Sequence, residues 1–246
     1  MFETAVREGV CRCRAPGARW LSTALDGGFV AADAAYNVTV PEGFDRRDLD
    51  AYAAERRSRA GFEAVGPALL TGVEMRHARA ATHGPVTVVA TAGLSNPATL
   101  PLDPTPDADS DPDPDAARSD RQGWRPGTVN LLVGTDRALD DGGLATLLAT
   151  AVEAKTATLL GQVGFSGTTS DALVVGCRPD GQAERFAGSA TAVGEATRAC
   201  VRDALLAGLA ARYEAADAEI PATVADATYG VETDASADVF VPYSRH

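Results

Sequence analysis

Short apolar stretches recur along the chain, and the spacing of apolar and polar positions within them changes from place to place. Stretches rich in β-branched and aromatic residues, bounded by glycine, proline or aspartate, predict strands. In the first part of the chain these strands span residues 19–25, 28–31, 36–40, 68–80 and 86–93. The strand at 86–93 is apolar throughout and is therefore expected to be buried. A charged segment predicts a helix over residues 46–60.

The second part of the chain shows a similar succession of patterns. An apolar stretch at 127–133 predicts a strand, and a run of good helix formers around Lys155 predicts a helix that begins after Asp140-Asp-Gly-Gly. The elements expected after it are a buried strand at 172–177, a turn at 179–181 leading into a second strand at 184–191, a helix at 195–213 and an extended tail at 220–246.

The two parts resemble each other. In each, a strand that carries an asparagine, Asn37 or Asn130, is followed by a helix and then by two strands. A Gly-Phe pair, Gly61-Phe62 or Gly164-Phe165, falls near the same place in both. This similarity indicates a duplicated β-α-β-β unit. We therefore predict the α/β class (mixed α+β), with a mixed β-sheet flanked by helices and a site between the repeats.

The chain has 246 residues and is expected to form one domain, residues 1–246, with two embellishments. The segment at about 101–126 is rich in proline and aspartate, which deny it regular structure and an apolar core, and it predicts a disordered insertion. A calcium-binding loop is the alternative, although the glycine turn and closing glutamate of such a loop are missing. Residues at about 215–246 predict an extended C-terminal tail.

The charge balance narrows the range of partners. The formal net charge is −12, and Lys155 is the one lysine among 22 lysines and arginines. Such a surface offers no basic patch to nucleic acid or to an anionic membrane, and it is typical of a cytoplasm at molar salt, where charges are screened within about 3 Å. There is no run of apolar residues long enough for a membrane span and no signal-peptide pattern, so we expect a cytoplasmic protein. The oligomeric state stays open.

Cysteine and histidine form no recognisable metal or nucleophile motif. Cys11 and Cys13 would lie on one face of a strand, but no second pair or nearby histidine completes a zinc site, so we expect free thiols and no bound metal. The three histidines are scattered without a Ser-His-Asp pattern. Neither a phosphate-binding loop nor a dinucleotide fingerprint is present, so we expect no nucleotide cofactor.

Lys155 is the leading candidate for chemistry. At about 100° per residue it falls on the apolar stripe of its helix, and Glu153 falls on the opposite side among small residues. The apolar stripe comprises Leu144, Leu147, Leu148, Ala151, Val152 and Leu159. Because an acidic protein would load an exposed helix face with carboxylates, we expect this helix to be covered on both sides. An ammonium on a core-facing stripe must extend to solvent, lose its proton, or meet a carboxylate or a substrate.

Three polar patches lie at the ends of apolar strands, where open α/β sheets usually bind ligands. The patches consist of Ser95 with Asn96, Thr128 with Asn130, and Thr168, Thr169, Ser170 and Asp171. Lys155 and Asp171 flank a short connection, and their side chains are expected to meet. The result would be either a charged lysine–aspartate pair or a neutral lysine that acts as a base.

Several motifs together resemble the adenosylcobinamide amidohydrolase family in order and spacing, from about Gly27 to Leu209. The motifs are Ala92-Gly-Leu-Ser-Asn96, Gly127-Thr-Val-Asn130, Glu153-Ala-Lys155, Gly167-Thr-Thr-Ser-Asp171 and Phe186-Ala-Gly-Ser-Ala-Thr-Ala-Val-Gly194. The tail resembles C-terminal extensions of halophile members. Thr169 and Ser170 stand where the family usually has glycine and threonine, and the acidic insertion stands where relatives have a short glycine-containing loop.

The resemblance implies hydrolysis of the amide that joins the corrin ring side chain to aminopropanol. Adenosylcobinamide would become adenosylcobyric acid, which allows incomplete corrinoids to be salvaged for coenzyme B12. The partner would be a small-molecule corrinoid, and no separate cofactor is expected because the substrate carries the cobalt.

The roles of individual residues are expected from their chemistry alone. Lys155 would act as a base or electrostatic stabiliser with Asp171 positioning it, and Thr168 or Ser170 would act as nucleophile or hold water. Glu153 is a competing base. The residues expected to bind substrate are Ser95, Asn96, Thr128, Asn130 and Thr169, and the two asparagines would donate to an oxyanion or to the substrate amide. The alternatives are a corrinoid-binding or escort protein and an amidohydrolase of an unrelated amide.

Overall fold

The computed structural model describes residues 2–24, 27–102, 128–214, 219–227 and 229–242. Most of the expected insertion lies outside these residues, so neither disorder nor a calcium loop is addressed. The helices are α1 Leu49–Arg59, α2 Asp141–Val163 and α3 Ala192–Tyr213. The strands are β1 Glu3–Arg7, β2 Val10–Ser22, β3 Gly28–Thr39, β4 Ala68–Thr71, β5 Arg79–His83, β6 Val86–Ala92, β7 Pro97–Thr99, β8 Val129–Thr135, β9 Gly167–Thr168, β10 Ala172–Cys177 and β11 Val231–Glu232.

The predicted mixed sheet is confirmed. Its strand order is β4-β3-β2-β10-β8-β6-β5, with β1 paired to β2 outside this path. Two pairs are parallel, β3 with β4 and β8 with β10, and each pair is connected through one helix, α1 or α2. A second, small sheet has the order β11-β7-β9.

The large sheet folds over on itself, which the sequence did not predict. Gly17 has a φ of 68°, and the pairing of β2 with β3 shifts register between Arg14 and Ala18, so the hairpin bends there. Leu69 of β4 consequently belongs to one apolar cluster with Leu132 of β8. The layers are therefore α1, the part of the sheet formed by β2, β3 and β4, the part formed by β10, β8, β6 and β5, and finally α2 with α3.

Two glycines make room for the aromatic residues between the sheet layers. Gly134 of β8 and Gly176 of β10 are register partners, and a Cβ atom on either would collide with the ring of Phe2 or Trp20. The Phe2 and Trp20 rings meet edge to face at 5.5 Å between centroids. The Trp20 indole donates to the carbonyl of Ala32 at 2.9 Å, so its polar atom is satisfied in the core.

The duplication holds for the first three elements of the proposed unit. Gly61 and Gly164 both have a positive φ just after α1 or α2, and the phenylalanine after each is buried. Both glycines adopt the left-handed conformation, which glycine tolerates because it has no Cβ atom, and this conformation ends the helices. The fourth element is not shared, because no strand forms at 184–191. Instead this segment crosses α2, where Thr150 donates to the carbonyl of Ala187 at 3.0 Å.

Other element boundaries also differ from the prediction. The strand expected at 19–25 is part of the longer β2, and β1 was not expected. Two further differences concern β3 and β4. The strands expected at 28–31 and 36–40 are one continuous strand, β3. The strand expected at 68–80 is interrupted by a single turn of 3₁₀ helix, Met75–His77, which separates β4 from β5. The continuity of β3 follows from tertiary pairing, because β2 pairs with it from Gly28 to Val38.

Helix α2 is the one helix in the described part of the chain whose length and apolar composition match a membrane span. It packs against the sheet and α3, and 44% of its most apolar window is buried. The apolar residues of α2 therefore pack in the core.

Candidate active site

Lys155 and Asp171 form a buried ion pair, as the sequence predicts. Asp140 begins α2 by accepting a hydrogen bond from the backbone of Gly143 at 2.8 Å, and Lys155 follows on the inward face of the fourth turn. The Lys155 ammonium donates to Oδ2 of Asp171, and the two side chains are only 7% and 12% exposed. Burying the two charges together avoids the cost of leaving either unpaired.

Asp171 has further donors around it. The backbone N–H of Val129 donates to Oδ1 at 3.0 Å, and that of Thr168 donates to Oδ2 at 3.2 Å. The Thr168 hydroxyl also donates to Oδ1. With Lys155, these groups fix the carboxylate in one orientation and join the start of β8, the β9 loop and α2 at a single point.

Gly167 lies directly against this ion pair. A Cβ atom at that position would be 2.6 Å from Nζ of Lys155 and 2.5 Å from Oδ2 of Asp171. The absence of a side chain therefore lets the β9 backbone cover the charged atoms. The pair is shielded from solvent on this side, and Lys155 already has its partner before any ligand arrives.

Asn96 organises the loop that carries the hydroxyl groups. Its Nδ2 donates to the Thr169 hydroxyl at 2.6 Å and to the Ser170 hydroxyl at 3.3 Å. The backbone carbonyl of Asn96 accepts from the backbone N–H of Thr169 at 3.1 Å. Asn96 is 1% exposed, and its buried Oδ1 has no hydrogen-bond partner among the residues that the structure describes. Ser95, Thr169 and Ser170 are exposed and form what we call the hydroxyl rim.

Thr128 and Asn130 lie elsewhere, in the core between the two sheet layers. The Thr128 hydroxyl donates to that of Thr71 at 3.1 Å, and Nδ2 of Asn130 donates to Oδ1 of Asn37 at 3.0 Å. Asn37 in turn donates to the hydroxyl of Thr91 at 2.9 Å. All members of this buried polar cluster are at most 1% exposed: Asn37, Thr71, Thr91, Thr128 and Asn130.

The buried polar cluster joins the two repeats, because Asn37 and Asn130 occupy equivalent positions in them. Thr71 and Thr91 have no distinctive sequence pattern, and our sequence analysis missed them. Oδ1 of Asn130 has no partner in the described structure. Thr128 and Asn130 are therefore not brought to the hydroxyl rim, although Val129 between them contacts Asp171.

The three polar patches do not all lie at carboxyl ends of strands. Asn96 follows the carboxyl end of β6, but Thr128 and Asp171 precede the amino ends of β8 and β10. They nevertheless lie at one edge because β6 runs antiparallel to β8. The rule for open parallel sheets was the wrong reason for grouping these patches.

Glu153 is separate from this site. It lies on the outer face of α2, where it pairs with Arg198 of α3 and accepts from Ser189 at 3.5 Å. The expectation that α2 is covered on both sides was wrong: Glu153 is exposed, and Val152, expected on the buried stripe, is 39% exposed. The buried face of α2 is shifted around the helix from the idealised stripe, because Ala154 is buried and Val152 is not.

The cysteines are free and buried, as expected. Burial raises the pKa of Cys11 and of Cys13 to about 12, so both stay as unreactive thiols near neutral pH. Within the described ranges no cluster of three or more His, Cys, Asp or Glu side chains could hold a metal ion.

Comparison with known proteins places the chain in a family. The model of the adenosylcobinamide amidohydrolase family matches residues 3–217, and the chain belongs to this family. An adenosylcobinamide amidohydrolase of Halobacterium salinarum is 52% identical over 98% of this chain and 100% of that protein. One from Methanosarcina mazei is 27% identical over 79% of this chain and 91% of that protein.

Among solved structures, the crystal structure of the PH0078 protein from Pyrococcus horikoshii OT3 aligns at 11% identity with a TM-score of 0.43. The alignment covers 84% of this chain and 78% of that one, a likeness too weak to define a common fold.

Proposed function

We propose that this protein hydrolyses the aminopropanol amide of adenosylcobinamide to give adenosylcobyric acid, in the salvage of corrinoids for coenzyme B12. The observation that carries the proposal is the 52% identity to a relative named adenosylcobinamide amidohydrolase along the full length of both chains. The family match over residues 3–217 supports the same reaction class. The reaction uses water and needs no cofactor, since the cobalt belongs to the substrate.

The proposed centre is the edge where Asp171, Lys155 and the hydroxyl rim meet. Hydrolysis of an amide needs a nucleophile or activated water, a stabilised oxyanion and a proton for the leaving amine. The exposed hydroxyls of Thr169 and Ser170 are the groups available to a substrate, and Asn96 orients both. Lys155 supplies positive charge behind them, positioned by Asp171.

The hydrogen bonds at this site favour positioning roles over direct catalytic roles for some of the candidate residues. The Thr168 hydroxyl is committed to Asp171, so Thr168 serves better as a positioning residue than as a nucleophile. Both Nδ2 hydrogens of Asn96 are also committed, which favours loop organisation over oxyanion binding. Thr128 and Asn130 act through the buried polar cluster, which supports the strand that presents Val129 to Asp171.

The acidic surface supports two further parts of the proposal. With a net charge of −12, the protein suits a cytoplasm of high salt, and its partner is a small corrinoid rather than nucleic acid or an anionic membrane. The organism of the 52% identical relative, Halobacterium salinarum, agrees with this setting.

The test is direct. Purified protein is incubated with adenosylcobinamide without ATP, and free aminopropanol is measured by mass spectrometry. Release of aminopropanol with formation of adenosylcobyric acid supports the proposal. Tight binding with unchanged ligand mass would instead identify a corrinoid-binding or escort protein, an alternative that the already paired and covered Lys155 supports. A panel of unrelated amides tests the remaining alternative, in which the protein is an amidohydrolase of a different amide.

Lys155→Met tests the residue assignment. We expect kcat to fall by about 100-fold or more, the range seen when a stabilising group in an active site is removed. Because the substitution leaves Asp171 buried without its cation, the double variant Lys155→Met/Asp171→Asn and a thermal unfolding curve report on folding. Glu153→Gln is the matched control on the same helix and should keep kcat within about twofold. Unchanged turnover of a folded Lys155→Met protein would exclude Lys155 from the mechanism.

A further inference from the structure

The C-terminal extension, described at residues 219–227 and 229–242, lies beyond the family match, which ends at residue 217. It nevertheless packs onto the domain. Ile220 contacts the apolar cluster that includes α2 and α3. A 3₁₀ turn, Val224–Asp226, is closed by Thr223 and Asp226, whose side chains and backbones hydrogen-bond to each other. Gly230 then lies so close to Val224 that a Cβ atom would collide with it, so the chain folds back compactly.

The extension supplies a strand to the sheet that covers the ion pair. Val231 pairs with Ala98 of β7, and Thr233 donates its backbone N–H to the carbonyl of Thr99 at 3.1 Å. On its other edge Ala98 pairs with Gly167 of β9. Val231 is thus two strand spacings, about 10 Å, from the glycine that lies against Lys155 and Asp171.

The residues after β11 carry an exposed apolar triplet. Val239, Phe240 and Val241 are 97%, 80% and 73% exposed. Unlike a single exposed apolar residue, three consecutive large apolar side chains form a contiguous patch, which indicates a contact with something apolar. Val239 lies six positions after Thr233, a reach of up to about 20 Å, which exceeds the about 10 Å between Val231 and β9, the strand that leads into the hydroxyl rim.

We propose that the C-terminal extension is a substrate-binding element, in which β11 fixes the chain beside β9 and the apolar triplet packs on the apolar face of the bound corrinoid. This inference rests on the proposed function and adds a second part of the molecule to it. The alignment with the 52% identical relative covers 98% of this chain, so it reaches into the extension. The family domain supplies the ion pair and hydroxyl rim, and the extension supplies apolar contact area.

The first experiment replaces Val239, Phe240 and Val241 together by serine and measures steady-state hydrolysis of adenosylcobinamide. We expect KM to rise by about tenfold or more, because burial of one phenylalanine side chain alone contributes about that factor, while kcat stays within about twofold. Val65→Ser is the matched control, since Val65 is 70% exposed in the connection between α1 and β4. An unchanged KM in the triple variant would overturn the inference.

The second experiment tests the attachment of the extension. Thr233→Pro removes the N–H that bonds to Thr99, and Thr233→Ala keeps it while removing the hydroxyl. We expect KM to rise in the proline variant only. Proteolytic cleavage within residues 234–242 should also become faster in this variant. Equal KM values in both variants contradict a role for the β11 pairing.

Binding of adenosylcobinamide, followed by equilibrium dialysis with detection of its visible absorption, separates this inference from the proposed function. If the wild type releases no aminopropanol but the triple variant loses affinity, the hydrolase proposal fails and the binding role of the extension stands. If the wild type is active and the triple variant binds normally, the extension proposal alone fails. A change of oligomeric state in the triple variant, with unchanged affinity, would assign the triplet to a second copy of the chain and also overturn the inference.

Discussion

At the scale of single residues, Lys155 shows what a sequence can and cannot reveal. Its inward direction followed from helical periodicity and its partner from the short connection to Asp171, and both expectations are confirmed by the ion pair. The close cover by Gly167 was not foreseeable, because it depends on how β9 pairs with β7. A glycine beside a charged pair has no sequence pattern of its own.

Because Lys155 is the one lysine in the chain, its burial can be measured chemically. In native protein treated with an amine-reactive ester, we expect Lys155 to be protected, since its side chain is 7% exposed and donates to Asp171. Peptide mass spectrometry gives the extent of labelling at Lys155. Asp171→Asn should increase labelling of Lys155, and full labelling of the folded wild type would contradict the buried pair.

Gly167→Ala should disturb the site without removing a functional group. The added methyl would displace the Lys155 ammonium or the Asp171 carboxylate, so we expect about a tenfold or greater loss of kcat and a lower melting temperature. Gly164→Ala would be strained by its positive φ, so Gly161→Ala, with open space around it, is the better control. If Gly167→Ala matches wild type in both measurements, the β9 backbone does not lie against the pair as described.

At the scale of elements, the helices and the buried strands were predictable because period and caps are local signals. The start of α2 at an aspartate and its end at a glycine follow established capping rules. The placement of Asn130 was not predictable in the same way. All residues of β8 are buried. When both faces of a strand are covered, the sequence does not show which of the two neighbouring layers a given side chain contacts.

The Asn37–Asn130 contact between the repeats should be energetically coupled. Replacing either asparagine by leucine leaves buried hydrogen-bonding groups unsatisfied, which typically costs about 1–3 kcal/mol. The double variant Asn37→Leu/Asn130→Leu removes both partners and should cost less than the sum of the single changes. Urea unfolding of the four proteins gives the coupling, and strictly additive free energies would exclude a direct interaction.

At the scale of the whole molecule, fold class was predictable and topology was not. Alternating strands and helices indicated a mixed sheet with helices outside, but β2 pairs with β10 some 150 residues later in sequence, as the 3.0 Å bond from Thr23 to Leu173 illustrates. Contacts at such separation leave no periodic trace. The folding over of the sheet depends on them and was missed for that reason.

The net charge of −12 should make stability depend on salt. Raising KCl from 0.1 M to 1 M shortens the screening length from about 10 Å to about 3 Å and weakens repulsion among surface carboxylates. We expect the melting temperature to rise by several degrees, measured by calorimetry, with an equal osmolality of a neutral solute as control. A constant or falling melting temperature would show that surface repulsion is unimportant.

The central position of β10 has a consequence for synthesis on the ribosome. This strand separates β2 from β8 in the sheet, yet it is among the last strands to be made. Until residue 177 has left the exit tunnel, both neighbours keep an open edge that can recruit strands from other nascent polypeptides. Insertion of β10 seals these two edges at once, so a translational pause just before it would expose the growing chain to aggregation, whereas a pause after it would not.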